Sequence, residues 1–220
     1  MDHTRRRLLA GVGSMGTASV AGCLGVLTGE EAVGFGASRA VVADATIESS
    51  GYRESQMSSS TVTREFGAAG QTREVEVTNR IAEYDRSVTL LTERIRGALF
   101  VVLSTPQVDI LGQTFNPVGD MSTDELVEMI QDRYDQIGAV SRENSRQASL
   151  LGDSREIVTY RAEGEFLPVE LPVSLVELTL HISEPVAVGG DFVVCVGVHP
   201  REVDDTDAVD SLLAGVEHTG

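Results

Sequence analysis

The run at residues 192–199 constrains the fold more than any other part of this chain. Its apolar members fall at both odd and even positions: Val193, Val194, Cys195, Val196 and Val198. Successive side chains of a strand point to opposite faces of a sheet, so a strand with this pattern is apolar on both faces. Such a strand is expected at the centre of a sheet that is covered on both sides.

Other apolar runs predict further strands on either side of this one. They lie at residues 40–47, 60–66, 73–81, 98–103, 148–151, 155–162 and 171–182. Gly152-Asp153 and Gly189-Gly190 separate several of the later runs. Links as short as these join antiparallel neighbours, so the sheet is predicted to be antiparallel.

Two segments have the pattern of amphipathic helices. Ser122 and Glu125 form a capping box ahead of apolar residues at helical spacing, and Gly138 is the expected stop. The acidic run at residues 204–207 leads into a second apolar helical pattern, with its acids at the positive end of the helix. We therefore predict an α+β fold, in which two main helices pack on an antiparallel sheet.

The order of these elements is similar to that of the small Mog1/PsbP-like domains. Nearly the whole chain, including residues 75–79, 113–122 and 192–198, also resembles a family of haloarchaeal lipoproteins classed as a domain of unknown function. The second resemblance implies a location at the cell surface, and it implies no activity.

The first 22 residues have the composition of an export signal. Arg5 and Arg6 stand just before the hydrophobic pair Leu8-Leu9, an order that resembles the twin-arginine export motif. The apolar stretch that follows is interrupted by glycines and is too short to span a bilayer. We predict a signal peptide of the twin-arginine type at residues 1–22, with an ordinary secretory leader as the alternative.

The segment at residues 20–23, Val-Ala-Gly-Cys, resembles a lipobox and implies cleavage before Cys23 and lipid attachment to its thiol. The alternative is a core position or a disulfide with Cys195, but Cys23 follows a leader and has glycines nearby. Residues 23–38 are rich in glycine and predict a flexible tether, and a single domain follows at 39–220. The prediction is a protein held by lipid on the extracellular face of a cell membrane.

The charge balance indicates the solvent. Aspartate and glutamate number 34 against 17 basic residues, all of them arginine, and the formal net charge is −17. At ~1 M salt the Debye length falls to roughly 3 Å, which screens such self-repulsion. The composition therefore predicts a halophilic protein, with a merely acidic protein as the alternative. It also excludes nucleic acid as a partner and removes charge attraction to anionic lipid.

The sequence predicts no catalytic residue, no cofactor and no metal site. His181 and His199 are predicted to face solvent, and Cys195 to be a buried thiol. The acidic run Asp204, Asp205, Asp207 and Asp210 lacks the spacing of a calcium loop and is interpreted as a helix cap. Nothing around Glu163 and Glu165 indicates the burial that acid and base chemistry needs.

Three functions are consistent with these patterns. The main hypothesis is a non-catalytic module, anchored to the envelope, that binds a protein or stabilises an assembly. The alternative is a lipoprotein that binds a small ligand or an ion, which requires a concave pocket with converging polar groups. A hydrolase with dispersed carboxylates is the third, and it requires Asp or Glu side chains clustered in a pocket.

Overall fold

The computed structural model describes residues 32–68, 71–90, 93–110, 113–114, 116–133, 137–164 and 176–220. Arg5, Arg6, Cys23 and most of the predicted tether lie outside these residues. In the described part of the chain no helix has the length and apolar character needed to cross a membrane.

Strands make up most of the described residues. They are β1 (Val33–Gly36), β2 (Ala40–Val42), β3 (Arg53–Ala68), β4 (Gln71–Leu90), β5 (Glu93–Pro106), β6 (Asp109–Ile110), β7 (Gln113–Thr114), β8 (Ile137–Leu150), β9 (Asp153–Gly164), β10 (Val176–Ser183), β11 (Val186–Val188), β12 (Asp191–Pro200) and β13 (Val216–His218). The α-helices are α1 (Asp44–Ser50), α2 (Thr123–Arg133) and α3 (Thr206–Ala214), with one 3₁₀ turn at Pro117–Asp120.

One sheet of nine strands organises the domain. Its main path runs β4-β5-β12-β10-β9-β8, β3 lies beside β4 at one edge, and β8 forms the other edge. The short strands β1 and β11 pair with β4 and β12. Every pairing in this sheet is antiparallel except that of β1 with β4, which is parallel.

Both faces of the sheet are covered, as the central apolar strand predicted. Val193 and Cys195 of β12 join a core that contains Val209 and Leu212 of α3. The intervening Val194 joins a second core, on the opposite face, that includes residues of α2. A two-stranded sheet of β2 and β13 also covers the first face, which we call the α3 face.

The predicted antiparallel sheet with helices packed on it is present, but the fold is not clearly α+β with two main helices. The fold is dominated by its sheet, and the longest of the three described α-helices has 11 residues. The difference comes from the two long hairpins, β3–β4 and β8–β9. Much of β3 and β8 is polar and exposed, so these edge strands lack the alternation of apolar and polar residues by which a half-buried strand is detected.

Two local predictions are corrected by the structure and one is confirmed. The capping box is present, because Ser122 N donates to Glu125 Oε2 at 2.8 Å and Glu125 N donates to Ser122 Oγ at 3.3 Å. The predicted helical stop at Gly138 is wrong, since this residue lies in β8. The predicted strand at 40–47 ends at Val42 and gives way to α1.

The sheet begins before the predicted domain boundary at residue 39. β1 lies within the residues assigned to the tether and pairs with Val75–Thr78 of β4. The N–H of Ala37 then donates to the carbonyl of Thr78 at 2.9 Å. The chain is therefore already held against the sheet where it enters the domain.

Candidate functional site

His181 and His199 are buried, at 3% and 2% exposure, so the prediction that they face solvent is wrong. They lie on the α3 face, and α3 covers them. Gly197, the cross-strand neighbour of His181, shows how closely the helix approaches, because a Cβ there would lie 3.0 Å from a methyl group of Val209. The polar face of β10 is therefore an interior face.

The two histidines form the centre of a buried chain of polar groups. Their Nε2 atoms are 3.0 Å apart. The Nδ1 atom of His181 lies 3.0 Å from Nη1 of Arg146 and 3.3 Å from the hydroxyl of Thr159. At the other end, Nδ1 of His199 lies 3.0 Å from the carbonyl oxygen of Pro200.

One set of histidine tautomers gives every group in this hydrogen-bonded network a partner. Because a carbonyl oxygen can only accept, Nδ1 of His199 carries a proton, and its Nε2 accepts. Nε2 of His181 then donates to His199, and Nδ1 of His181 accepts from the Arg146 guanidinium. Both imidazoles are neutral in this arrangement, and each ring nitrogen has a partner within the protein.

Arg146 fixes the outer end of the chain. Its Nη2 donates to Oδ1 of Asp210 at 2.6 Å, and its Nε lies 3.0 Å and 3.2 Å from the two carboxylate oxygens. Its Nη1 also donates to the hydroxyl of Thr159 at 3.2 Å. Asp210 therefore neutralises a guanidinium that β8 contributes, which joins α3 to the edge of the sheet.

Burial is the main cause that lowers the pKa of His181, and the Arg146 charge and His199 add to it, giving a value of about 3. A proton added to Nδ1 of His181 would face the donor Nη1 of Arg146 and would place a positive charge beside the guanidinium. His181 therefore stays neutral at physiological pH, and its role is in packing rather than proton transfer to a ligand.

A second polar cluster accounts for another member of the acidic run. Asp205, 2% exposed, accepts a hydrogen bond of 2.6 Å from the hydroxyl of Tyr52 and forms an ion pair with Arg86. The Arg86 guanidinium also lies over the Tyr52 ring, 5.5 Å from its centroid. Burial and the bond to Asp205 raise the pKa of Tyr52.

The predicted helix cap is therefore only partly correct. Asp205 precedes α3 but makes no side-chain cap hydrogen bond. Oδ1 of Asp204 accepts from the N–H of Thr206 at 3.2 Å, and this bond holds the pKa of Asp204 below its usual range. The ion pairs of Asp205, which is buried, and of Asp210, which is partly exposed, are the parts of this run that the sequence did not predict.

The remaining candidates are dispersed. Cys195 is buried, as predicted, and burial raises the pKa of its thiol. The imidazole of His218 is 5% exposed and its Nε2 lies 2.8 Å from Oδ2 of Asp191. Glu163 is exposed on β9, and Glu165 lies outside the described residues. Across the described ranges, no three His, Cys, Asp or Glu residues group as metal ligands would.

A cleft of about 180 Å³ opens on the α3 face, between β2 and the β3–β4 hairpin. Its polar lining consists of Arg39, Ser58, Ser59 and Arg80, and its apolar lining includes Met57 and Ala82. No Asp or Glu lines it. In a chain with a net charge of −17, this is a cationic site.

The arginines of the cleft differ from most others whose side chains are described. Ion pairs are formed by Arg53, Arg86, Arg142, Arg146, Arg155, Arg161 and Arg201. Neither Arg39 nor Arg80 has such a partner among the described residues, and Nε of Arg80 donates only a long bond of 3.4 Å to the carbonyl of Ala37.

Sequence reasoning missed this cleft because its walls are distant in the chain. Arg39 precedes β2, whereas Arg80 lies in β4, directly opposite Ser59 of β3. The one available signal was the absence of an acidic residue immediately beside either arginine, which is weak by itself.

The comparisons with known proteins add one match. A family model described as Domain of unknown function (DUF6517) matches residues 39–217. No curated protein matches the chain.

Proposed function

We propose that this chain, which belongs to the family described as Domain of unknown function (DUF6517), is a lipid-anchored binding module on the outer face of a cell membrane. In this proposal the lipid on Cys23 holds the module in place, the twin-arginine leader exports it, and the α3 face binds a partner or ligand. The module performs no catalysis.

The observation that carries the binding role is the cationic cleft. Most arginines with described side chains are matched by an acid of the same chain, whereas Arg39 and Arg80 line an open cleft that contains no acid. Guanidinium groups recognise carboxylates and phosphates, so an unmatched pair of them favours a ligand from outside the chain. This supports the small-ligand alternative more directly than a protein partner.

The buried clusters support a role without catalysis. Hydrolysis by paired carboxylates needs two acids near one pocket, and no acid lines the cleft. A histidine that acts as a base needs a ring nitrogen within reach of a substrate, whereas both nitrogens of His181 have partners inside the protein.

The anchor is tested by comparing the two cysteines of the chain. Cys23→Ser, expressed with its leader in a host that lipidates lipobox proteins, should accumulate uncleaved and take up no labelled lipid. Cys195→Ala removes the other thiol and is the matched control, which should be cleaved, labelled and recovered with membranes like the wild type. A Cys23→Ser chain that is still trimmed and lipid-labelled would contradict the proposed anchor.

We also propose that the module is adapted to concentrated salt. Its net charge of −17 produces self-repulsion that ~1 M salt screens and dilute buffer does not. Circular dichroism should show loss of cooperative structure as salt is dialysed away. Melting curves that do not change with salt would contradict this adaptation.

A further inference from the structure

We propose that the cleft between β2 and the β3–β4 hairpin binds a tetrahedral oxyanion, such as a phosphate group, between the guanidinium groups of Arg39 and Arg80. This inference rests on the proposed binding role and names the class of ligand that the cleft would take.

The backbone positions of both arginines are fixed. The carbonyl of Arg39 accepts two hydrogen bonds of 2.9 Å from Thr219, one from its N–H and one from its hydroxyl. β2, which follows Arg39, is held to the sheet where the N–H of Val42 donates to the Tyr84 hydroxyl at 2.8 Å. Arg80 lies within β4 and pairs with Ser104 of β5. The two cationic side chains therefore extend from rigid elements.

The pairing register places Arg80 and Ser59 on the cleft side of the hairpin. Ser59 is opposite Arg80, and Met57 is opposite Ala82, a member of the core on the α3 face. Side chains two residues apart in a strand share a face, so Arg80 and Ser59 point to the same side as this core. Arg39, which precedes β2, also lines the cleft, so the two arginines belong to different elements of its lining.

The charges in the cleft lining also favour an anion. Arg39 and Arg80 bring two positive charges to the lining of one cleft of about 180 Å³, and no carboxylate in that lining balances them. Elsewhere on the same face Arg146 and Arg86 each have an aspartate. A bound anion would supply negative charge to the cleft, as Asp210 and Asp205 supply it to Arg146 and Arg86.

The arrangement of donors favours a tetrahedral anion over a planar one. A guanidinium donates two parallel hydrogen bonds in a fixed plane, and a hydroxyl donates one. Arginine donors on two different walls, together with the hydroxyl of Ser59, match oxygens that point in several directions. A single carboxylate presents its two oxygens in one plane, and one guanidinium group is enough to bind both.

Two sources could provide such a group, a free phosphate ion or the phosphate of a lipid headgroup. Residues 37 and 38 lead directly from β1 into Arg39, so the chain that runs toward Cys23 enters the domain beside the cleft. A headgroup is therefore within the reach of a module that is tethered to a bilayer, and the test separates the two sources.

The test measures binding to the full chain by titration calorimetry at constant chloride. The variants are Arg39→Gln, Arg80→Gln and the double variant. Arg64→Gln is the matched control, because Arg64 is exposed on the same hairpin, does not line the cleft and has no ion pair among the described residues. Circular dichroism of each variant shows whether the fold is retained.

Inorganic phosphate should bind to the wild type, and the double variant should bind it at least about tenfold more weakly, since two charge-assisted contacts are lost. Arg64→Gln should stay within about twofold of the wild type. No binding of phosphate in the millimolar range, or an equal loss in Arg64→Gln, would overturn the proposal. Acetate binding as tightly as phosphate would overturn the preference for a tetrahedral anion.

The source is identified with glycerophosphoglycerol, a water-soluble phosphodiester headgroup. Tighter binding of this diester than of inorganic phosphate, abolished in the double variant, supports a lipid headgroup, and the reverse order supports free phosphate. Failure of the binding assay leaves the lipidation test on Cys23 unaffected, so an error in the ligand class is distinguishable from an error in the anchor.

Discussion

Arg146 and Arg80 point to the same face of the same sheet but have opposite surroundings. Arg146 donates to Asp210, Thr159 and His181 within the protein. Arg80 donates one long bond to a backbone carbonyl. Residue type alone therefore does not separate a structural arginine from one available to a ligand, because the element that covers the sheet decides whether the guanidinium has a partner inside the protein.

The covering elements explain the contrast. Over β8, β9 and β10, α3 supplies Asp210, and its Val209 side chain packs closely on Gly197 of the neighbouring β12. Over β3 and β4, the covering strand β2 is preceded by another arginine and leaves a cleft. The first region should therefore be sensitive to substitution and to pH, and the second should tolerate substitution without loss of stability.

Acid should produce the largest effect. Because the pKa of His181 falls from 6.5 to about 3 on folding, the unfolded chain binds a proton below pH 6.5 that the folded chain does not. The free energy of unfolding should therefore decrease by about 1.4 kcal/mol per pH unit as pH falls from 6.5, to a total of roughly 4 kcal/mol near pH 3.

The range from pH 6.5 to 5 is the most informative, because most carboxylates titrate below it. Over this range the free energy of unfolding should decrease by about 2 kcal/mol. Denaturant unfolding at constant high salt measures it, and His181→Gln is the control, since its amide does not titrate but can still accept and donate. An equal slope in this variant would show that His181 is not the group responsible.

Replacement of Arg146 by methionine should have the next largest effect. It removes the guanidinium that donates to Asp210, Thr159 and Nδ1 of His181, so the free energy of unfolding should decrease by about 3 kcal/mol. Arg64→Met on β3 provides the comparison and should change stability by less than about 0.5 kcal/mol. Similar losses in the two variants would remove the distinction between the regions.

Gly197→Ala should have a smaller effect at the same helix interface. The added Cβ would meet two methyl groups of Val209 at 3.0 Å and 3.1 Å, so the Val209 side chain of α3 would have to shift by a few tenths of an ångström. Overpacking of this kind costs about 1–3 kcal/mol. Gly138→Ala in β8, where nothing lies within 4 Å of the new Cβ, is the matched control. Thermal melting that ranks the two variants equally would contradict close packing of α3.

Substitution in the cleft should have the smallest effect on stability. Arg80→Gln should change the free energy of unfolding by less than about 0.5 kcal/mol, because it removes one long hydrogen bond and no ion pair seen within the described residues. A loss comparable to that of Arg146→Met would show that Arg80 is structural and that the cleft is not free for a ligand.

The parts of the fold that depend on local patterns were predictable from the sequence. Three such features are present, and each is a property of a short segment. They are the β12 segment that is apolar on both faces, the capping box of α2 and the glycine turns. Gly152, Gly189 and Gly190 adopt positive φ angles, which is why glycine occupies those turns.

The buried networks could not be predicted in this way. His181 alternates with apolar residues along β10, and alternation does not reveal whether the polar face meets water or a helix. The answer depends on α3, which begins 25 residues later, and on Arg146, 35 residues earlier in an edge strand. Such contacts follow from strand order and register, which residue spacing does not specify.

The parallel pairing of β1 has a mechanical consequence. In the proposed lipid-anchored form, a force from the membrane would pull β1 along its own axis against β4. The hydrogen bonds between Val33–Gly36 and Val75–Thr78 would then be loaded together, in shear, rather than opened one after another. The entry strand would act as a clamp that keeps tension in the linker from reaching the cleft at Arg39.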